Sequence, residues 1–164
     1  MTPAASGECL FCGIAGGLVP SAIVWRDDHV CAFLDARPVF KGHVLVVPRA
    51  HVPTLLELSD AETGPLFGAV RRIAGAVERG LGVDGTFVAM NNKVSQSVPH
   101  LHLHVVPRRR KDGLRGFFWP RVSYASDAER DDFAARIGAA LQETSPGLKT
   151  SPEDTKMAGP NDGS

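Results

Sequence analysis

The stretch that most constrains this fold is PHLHLHVVP, residues 99–107, where three of the chain's six histidines alternate strictly with aliphatic residues. A β-strand turns successive side chains to opposite faces. We therefore expect a strand with His100, His102 and His104 on one face. The opposite face carries Leu101, Leu103 and Val105. A helix would spread these side chains around its circumference, so the pattern predicts an imidazole row on an open or cleft-lining sheet face.

Composition limits the classes of protein that need be considered. The 164 residues suffice for one domain with a substantial core. Because 18 Lys and Arg balance 18 Asp and Glu, net charge gives no attraction to nucleic acid or to a membrane surface. No apolar run approaches the roughly 20 residues of a membrane span, and no basic-then-apolar leader is visible. We expect a cytoplasmic protein that binds neither nucleic acid nor membrane.

Strand patterns flank one long helical pattern. Four strand-like runs are expected at residues 23–26, 29–34, 43–48 and 86–91, with the histidine strand fifth. Between the third and fourth, Ser59 and Glu62 have the spacing of a capping box. Apolar residues then share one helix face, namely Leu66, Val70, Ile73, Val77 and Leu81. This order predicts an α+β domain with a five-stranded antiparallel sheet and one long helix on the aliphatic side of the histidine strand.

The domain is expected to span residues 9–142. A second capping-box pattern at Ser126 and Glu129 leads into a C-terminal helix. Residues 1–8 are small and polar, which predicts a flexible N-terminus. Residues 143–164 are rich in Ser, Pro, Gly and Asp, so we expect a disordered C-terminal tail.

The three cysteines do not form a secreted disulfide framework, because their number is odd. Cys31 lies in an apolar run that predicts a core position. Cys9 and Cys12 have the Cys-x-x-Cys spacing of half a zinc site. A redox pair would stand between a strand and a helix start, and that context is not visible here. From the residues alone, half a metal site and two free thiols both stay open.

Three imidazoles on one strand face permit a metal site, a phosphoryl-transfer site or a row of ordinary surface histidines. Same-face neighbours lie roughly 6.5–7 Å apart along a strand. That spacing cannot close around one zinc ion with bonds of about 2.1 Å unless the strand bends. Along a polyphosphate, however, one histidine could attack phosphorus while another donates hydrogen bonds to its oxygens.

The segment HLHLHVV, residues 100–106, resembles the signature of the histidine triad family. Three further segments resemble the family in the same order, which are FLDARP at 33–38, GHVLVVPRAH at 42–51 and QSV at 96–98. The resemblance spans roughly residues 9–108. It implies the HIT-like fold, a homodimer whose two sheets form one continuous sheet, and hydrolysis or transfer of nucleoside monophosphates.

The resemblance also implies roles for catalytic residues. His102 would attack the α-phosphorus and form a nucleotidyl-histidine, which suits an imidazole that is largely neutral at pH 7. His104 would donate hydrogen bonds to phosphate oxygens, and His43 would lie close to the nucleophile and orient the phosphate site. The Ser97 hydroxyl would help stabilise the charge that develops in the transition state.

The nucleotide-binding residues implied by the resemblance surround these histidines. Asp35 would accept the two ribose hydroxyls. The full implied set is Phe33, Leu34, Asp35, Asn91, Gln96, Ser97, Val98, His102 and His104. The loop before Gln96 departs from the family in lacking a Gly-rich stretch, so both Asn91 and Asn92 could supply the asparagine that contacts phosphate.

The resemblance supplies the missing half of the cysteine site. Zinc-containing members of the family combine a Cys-x-x-Cys pair with a histidine at the position of His51 and with the first triad histidine. It therefore implies a structural zinc held by Cys9, Cys12, His51 and His100.

We expect a nucleotide hydrolase or nucleotidyl transferase that acts at the α-phosphate of adenosine nucleotides. The substrate class stays open between dinucleoside polyphosphates, favoured by Pro107 and Arg108, and nucleoside phosphoramidates. The alternative is a zinc-stabilised nucleotide-binding module that acts through a protein contact. Lys93 and the basic run 108–111 are either polyphosphate contacts or solvated charges, and Trp119 is either a nucleotide contact or a packing residue.

Overall fold

The structure is a computed structural model that describes residues 9–114 and 122–144. These form two compact units, one ending at Leu114 and one beginning after it. The predicted flexible residues 1–8, Trp119 and the predicted tail beyond residue 144 lie outside the described ranges.

The first unit contains the predicted five-stranded antiparallel sheet. Its strands are β1 (Ile23–Arg26), β2 (Val30–Leu34), β3 (Val44–Pro48), β4 (Gly85–Ala89) and β5 (Leu103–Arg108). They lie in the order β1-β2-β3-β5-β4, and every neighbouring pair is antiparallel. All five residues of β3 are buried, as its continuous apolar run predicts.

Three α-helices and one 3₁₀ turn accompany the sheet in the described ranges. They are α1 (Leu10–Ala15), the 3₁₀ turn (Leu55–Glu57), α2 (Asp60–Leu81) and, in the second unit, α3 (Asp127–Thr144). The predicted long helix and C-terminal helix are therefore both confirmed. No helix within residues 9–114 or 122–144 is long and apolar enough to cross a membrane.

Helix α2 covers the aliphatic side of the histidine segment, as predicted. Its buried residues include Leu66, Val70, Ile73 and Val77. They pack in one cluster with Leu101, Leu103 and Val105, each of which is fully buried. The prediction for Leu81 is wrong, because this last helical residue is 45% exposed. It lies at the helix end beside Gly42, where an added Cβ would overlap the Leu81 side chain.

The predicted capping box at Ser59 is also wrong in detail. The Ser59 hydroxyl donates to the Glu62 carboxylate at 2.8 Å and does not cap a backbone N–H. A complete capping box lies at Thr54 and Glu57, at the start of the 3₁₀ turn. The Thr-x-x-Glu spacing was present in the sequence, but the following segment carries no long apolar period to draw attention to it.

The histidine segment was predicted as one strand on an open or cleft-lining face, and the structure differs from a regular, open strand in two respects. First, regular pairing begins only at Leu103, so His100 and His102 precede β5 and only His104 lies within it. The Leu101 N–H instead bonds to the Val52 carbonyl at 2.6 Å, just beyond the end of β3. Second, α1 covers this side of the sheet, and His100 and His102 are buried.

Candidate functional site

A cavity of ≈ 320 Å³ opens on the α1 side of the sheet, beside the histidines. Seven of the residues predicted to bind or transform a nucleotide line it, which are Phe33, Leu34, Asp35, Ser97, Val98, His102 and His104. Apolar side chains from α1 and the following loop form much of the remaining wall. The structure thus brings together most of the residues that the histidine triad resemblance implies. A second cavity of ≈ 350 Å³, between the ends of α2 and β5, contains no histidine or hydroxyl side chain in its lining.

The hydrogen bonding of His102 determines which of its ring nitrogens carries a lone pair. Nδ1 lies 2.7 Å from the carbonyl oxygen of His100. A carbonyl can only accept, so Nδ1 carries a proton, and in the neutral ring Nε2 then keeps its lone pair. The ring is 4% exposed and packs edge-on against Phe11, with ring centroids 5.1 Å apart. In its neutral form His102 therefore has one tautomer, with the lone pair on Nε2, at the wall of the cavity.

A second hydrogen-bonded chain fixes the tautomers of His43 and His104. The Val39 N–H donates to His43 Nδ1 at 3.3 Å, which leaves the His43 proton on Nε2. His43 Nε2 in turn lies 3.0 Å from His104 Nδ1 and donates to it. His104 must then carry its own proton on Nε2. His104 lines the cavity, so it can donate a hydrogen bond to an anionic ligand there.

Both members of this pair are held neutral near pH 7. Burial lowers the pKa of His43, which outweighs the opposing effect of the Asp35 carboxylate. Burial lowers the pKa of His104 to about 4, and the repulsion that protonated His102 or His43 would exert acts in the same direction. Asp35 Oδ2 lies 3.5 Å from His43 Nδ1, but this nitrogen cannot donate to Asp35 while it accepts from Val39. The depressed pKa of His43 favours the neutral arrangement over an ion pair.

Asp35 stands at the cavity wall beside Phe33 and Leu34, as predicted. Its Oδ1 accepts the Arg37 N–H at 2.8 Å, which fixes the carboxylate at the turn after β2. The remaining lone pairs can accept from a hydroxyl pair on a ligand.

Asn91 and Gln96 do not line the cavity. The Asn91 amide donates to the Ser95 carbonyl at 3.4 Å. The Gln96 amide donates to the Pro53 carbonyl at 2.6 Å and accepts from the Lys93 N–H at 2.9 Å. Their contacts with a nucleotide stay predictions, and in this structure their side chains bond to other partners in the loop and, for Gln96, to Pro53 outside it.

The four predicted zinc ligands meet behind the cavity. The ligand atoms of Cys9, Cys12, His51 and His100 all lie within 4.8 Å of one another. The His100 Nδ1 lies 3.4 Å from Cys9 Sγ and 3.5 Å from Cys12 Sγ, and Cys12 Sγ lies 3.3 Å from His51 Nδ1. Tetrahedral zinc with ordinary bond lengths would separate sulfur and nitrogen ligands by about 3.6 Å.

The outer hydrogen bonds of this cluster also suit a cation. His100 Nε2 donates to the Pro48 carbonyl at 2.8 Å, so Nδ1 presents its lone pair to the cysteines. Burial raises the pKa of the Cys12 thiol to about 11 in the metal-free pair, so a bound cation has to displace that proton. The donor set and its geometry therefore fit a closed Cys₂His₂ zinc site.

Sequence reasoning missed two features of the site. Phe11, between the two cysteines, packs against both His100 and His102, and its only signal was an apolar residue inside the Cys-x-x-Cys pair. The basic run is also more structural than its charge indicates. Arg108 pairs with Asp112, and Arg109 donates to the carbonyls of Leu81 and Gly82 at the end of α2.

The sheet order, the long covering helix and the alternating histidines, two of which line the cavity, define a class of α+β proteins with a histidine-lined cavity. The family model described as HIT domain matches residues 17–111, more than half of the chain, and the chain therefore belongs to the HIT family.

Individual relatives agree with this membership. The chain is 40% identical over 127 residues to Protein hit from Bacillus subtilis, a match that covers 76% of this chain and 86% of that protein. A zinc-bound histidine triad family protein from Mycobacterium smegmatis superposes with a TM-score of 0.64 at 33% identity, covering 83% of this chain and 99% of that one. An asymmetrical bis(5'-nucleosyl)-tetraphosphatase from Schizosaccharomyces pombe is 33% identical over 96 residues, covering 57% of this chain and 53% of that protein.

Proposed function

We propose that this protein is a nucleotide hydrolase or nucleotidyl transferase that acts at the α-phosphate of adenosine nucleotides through a covalent nucleotidyl-His102. The observation that carries the proposal is the hydrogen bond from His102 Nδ1 to the His100 carbonyl, which leaves Nε2 as the nucleophilic nitrogen. The similarity to a bis(5'-nucleosyl)-tetraphosphatase supports a dinucleoside polyphosphate as substrate. A nucleoside phosphoramidate is the second substrate class that the same chemistry would accept.

The reaction proceeds in two displacements. In the first, the His102 Nε2 lone pair forms a bond to the α-phosphorus, while the bond from phosphorus to the leaving oxygen or nitrogen breaks and its electron pair departs with the leaving group. In the second, a water molecule or another hydroxyl acceptor attacks the same phosphorus and loses a proton. The phosphorus–nitrogen bond then breaks, and its electron pair returns to His102.

The neighbours of His102 supply hydrogen bonds and selectivity. His104 Nε2–H and the Ser97 hydroxyl donate to phosphate oxygens as negative charge builds up on them. Asp35 accepts the ribose hydroxyls, and Phe33 and Leu34 contact the base. Phosphate contacts by Asn91 and Gln96, implied by the resemblance, require the loop to release their present partners.

We infer that zinc occupies the cluster of Cys9, Cys12, His51 and His100 as a structural cofactor. The separations between sulfur and nitrogen atoms support this, as does similarity to a zinc-bound family member. With all four positions filled by protein atoms, the ion would link α1 to the sheet and leave no open position for substrate.

The function is tested by turnover of diadenosine polyphosphates and of an adenosine phosphoramidate. Wild type should hydrolyse at least one of them, and His102→Ala should lose activity by on the order of 10⁴-fold or more. The matched control is His29→Ala, because His29 is an exposed histidine in the turn before β2. Nucleotide binding without turnover in wild type would reject the enzyme and favour the nucleotide-binding module.

A further inference from the structure

The loop between β4 and the histidine segment holds two non-glycine residues in the left-handed backbone region. Lys93 has φ 67° and Ser95 has φ 61°. L-residues with side chains rarely adopt this conformation, and it persists where surrounding contacts impose it. The loop ends at Ser97, which lines the same cavity as His102. Something must therefore hold the loop in this shape next to the site.

Two side chains of the loop tie it to residues 53–55. Gln96 Nε2 donates to the Pro53 carbonyl at 2.6 Å, while Gln96 Oε1 accepts from the Lys93 N–H at 2.9 Å. Asn92 Oδ1 accepts from the Leu55 N–H at 2.9 Å. We call these three hydrogen bonds the loop clamp. Gln96 thus bonds both to left-handed Lys93 inside the loop and to Pro53 outside it. We call residues 53–55 the anchor of the loop clamp.

The anchor of the loop clamp is itself well fixed. Thr54 is buried, and its N–H donates to the Glu57 carboxylate at 3.0 Å within the capping box. Immediately before it, the Val52 carbonyl accepts from the Leu101 N–H, between the first two triad histidines. The same short segment therefore holds the loop that ends at Ser97 and the backbone that carries His102.

We propose that Gln96 and Asn92 are positioning residues, which hold the 91–97 loop so that Ser97 stands beside His102 for attack at the α-phosphate. This inference rests on the proposed function. It also assigns Gln96 a different role from the direct phosphate contact that the family resemblance implies. Both polar atoms of the Gln96 amide already have partners, so Gln96 acts through the loop.

The experiment compares wild type, Gln96→Ala and Asn92→Ala, with Val94→Ala as the control. Val94 lies in the same loop, is 80% exposed and supplies no side chain to the loop clamp. Both clamp variants should lower kcat by about tenfold to a hundredfold with KM changed less than about twofold, because the reacting groups are misplaced while the binding surface remains. Amide exchange should accelerate by at least about tenfold at Lys93 in Gln96→Ala and at Leu55 in Asn92→Ala, because each substitution removes the acceptor of that amide.

A glycine substitution separates positioning from direct contact. Glycine adopts the left-handed region freely, so adding Lys93→Gly to Gln96→Ala should restore kcat by at least about threefold. A direct phosphate contact by Gln96 would give a loss of kcat with unchanged amide exchange and no recovery by Lys93→Gly, which would overturn the inference. So would an unchanged kcat in both clamp variants beside an active wild type. A wild type without turnover would instead reject the proposed function and remove this inference with it.

Discussion

Hydrogen bonds to fixed partners distinguish His100, His102 and His104, which look equivalent in the sequence. His100 donates to the Pro48 carbonyl and turns Nδ1 towards the cysteines. His102 donates to the His100 carbonyl, which in the neutral ring leaves the lone pair on Nε2. His104 accepts from His43 and keeps Nε2–H for donation. Each tautomer follows from a hydrogen bond to a backbone group, which is a carbonyl for His100 and His102 and, through His43, the Val39 N–H for His104.

The depressed pKa of His104 predicts how stability changes with pH. The folded pKa is about 4 against an ordinary value of 6.5, so between these values the unfolded chain binds more protons than the folded one. The stability contributed by neutral His104 is therefore present above pH 6.5 and is lost as the pH falls towards 4. Urea unfolding of wild type and His104→Asn at pH 7, 5.5 and 4.5 should show a smaller loss of stability in the variant.

His29→Asn is the control for this comparison, because it removes an exposed histidine. Equal pH dependence in wild type and His104→Asn would contradict the neutral state of His104. Measurement in a metal-free buffer with chelator keeps titration of the zinc ligands common to all three proteins.

The stability of helix α1 depends on contacts with residues outside the helix. It has six residues, too few for a helix to be stable alone. Cys9 precedes it and Cys12 lies within it, and both sulfur atoms contact His100 in the segment that leads into β5. Phe11 on the same helix packs against His102. A metal in this cluster would therefore secure one wall of the cavity as well as the N-terminal part of the fold.

Removal of zinc should destabilise the protein. Elemental analysis should give one zinc per chain in wild type and in Cys31→Ser, whose altered cysteine is buried and is not one of the four grouped residues, and a loss of zinc in Cys12→Ser. Chelation should lower the Tm of wild type by at least about 5 °C and leave that of Cys12→Ser nearly unchanged. A wild type that folds without zinc and does not respond to chelator would contradict the structural role.

The sequence predicts elements whose pattern repeats locally, and it fails where distant residues meet. The burial of β3 and of one face of α2 follows from hydrophobic periodicity, because each residue reports on its own surroundings. The predicted start of the histidine strand is wrong, because the Leu101 N–H bonds to the carbonyl of Val52, 49 positions earlier in the sequence. The bond between Gln96 and Pro53 is likewise long-range. The grouping of Cys9, Cys12, His51 and His100 was predicted from family resemblance, since spacing alone revealed only the two cysteines.

The two edge strands of the sheet, β1 and β4, differ in the regularity of their pairing. Strand β1 is irregular, with a register shift between Ile23 and Trp25 that weakens it as a template for another strand. Strand β4 is paired regularly along its full length with β5, and its Val88 is 43% exposed. A regular open edge readily adds a strand from a second copy. The continuous sheet implied by the family resemblance would therefore form through β4.

This predicts a homodimer that a charge on β4 weakens. Val88→Lys should raise the dimer dissociation constant by at least about tenfold, because two like charges would meet at the symmetric edge. Val24→Lys is the matched control, since Val24 is an exposed valine on the other edge strand. Sedimentation over a range of concentrations distinguishes them. A monomeric wild type, or dissociation caused by Val24→Lys alone, would contradict pairing through β4.

The nucleophilic role of His102 is open to one direct measurement. Wild type is mixed with a diadenosine polyphosphate, quenched at alkaline pH within a turnover, and digested for mass spectrometry. A single nucleotidyl group is expected on the peptide that contains His102, attached to that imidazole, and absent from His102→Ala. Rapid turnover with no trapped nucleotide, or a nucleotide attached to His104 or Ser97, would contradict the assignment of His102 as the residue that forms the covalent intermediate.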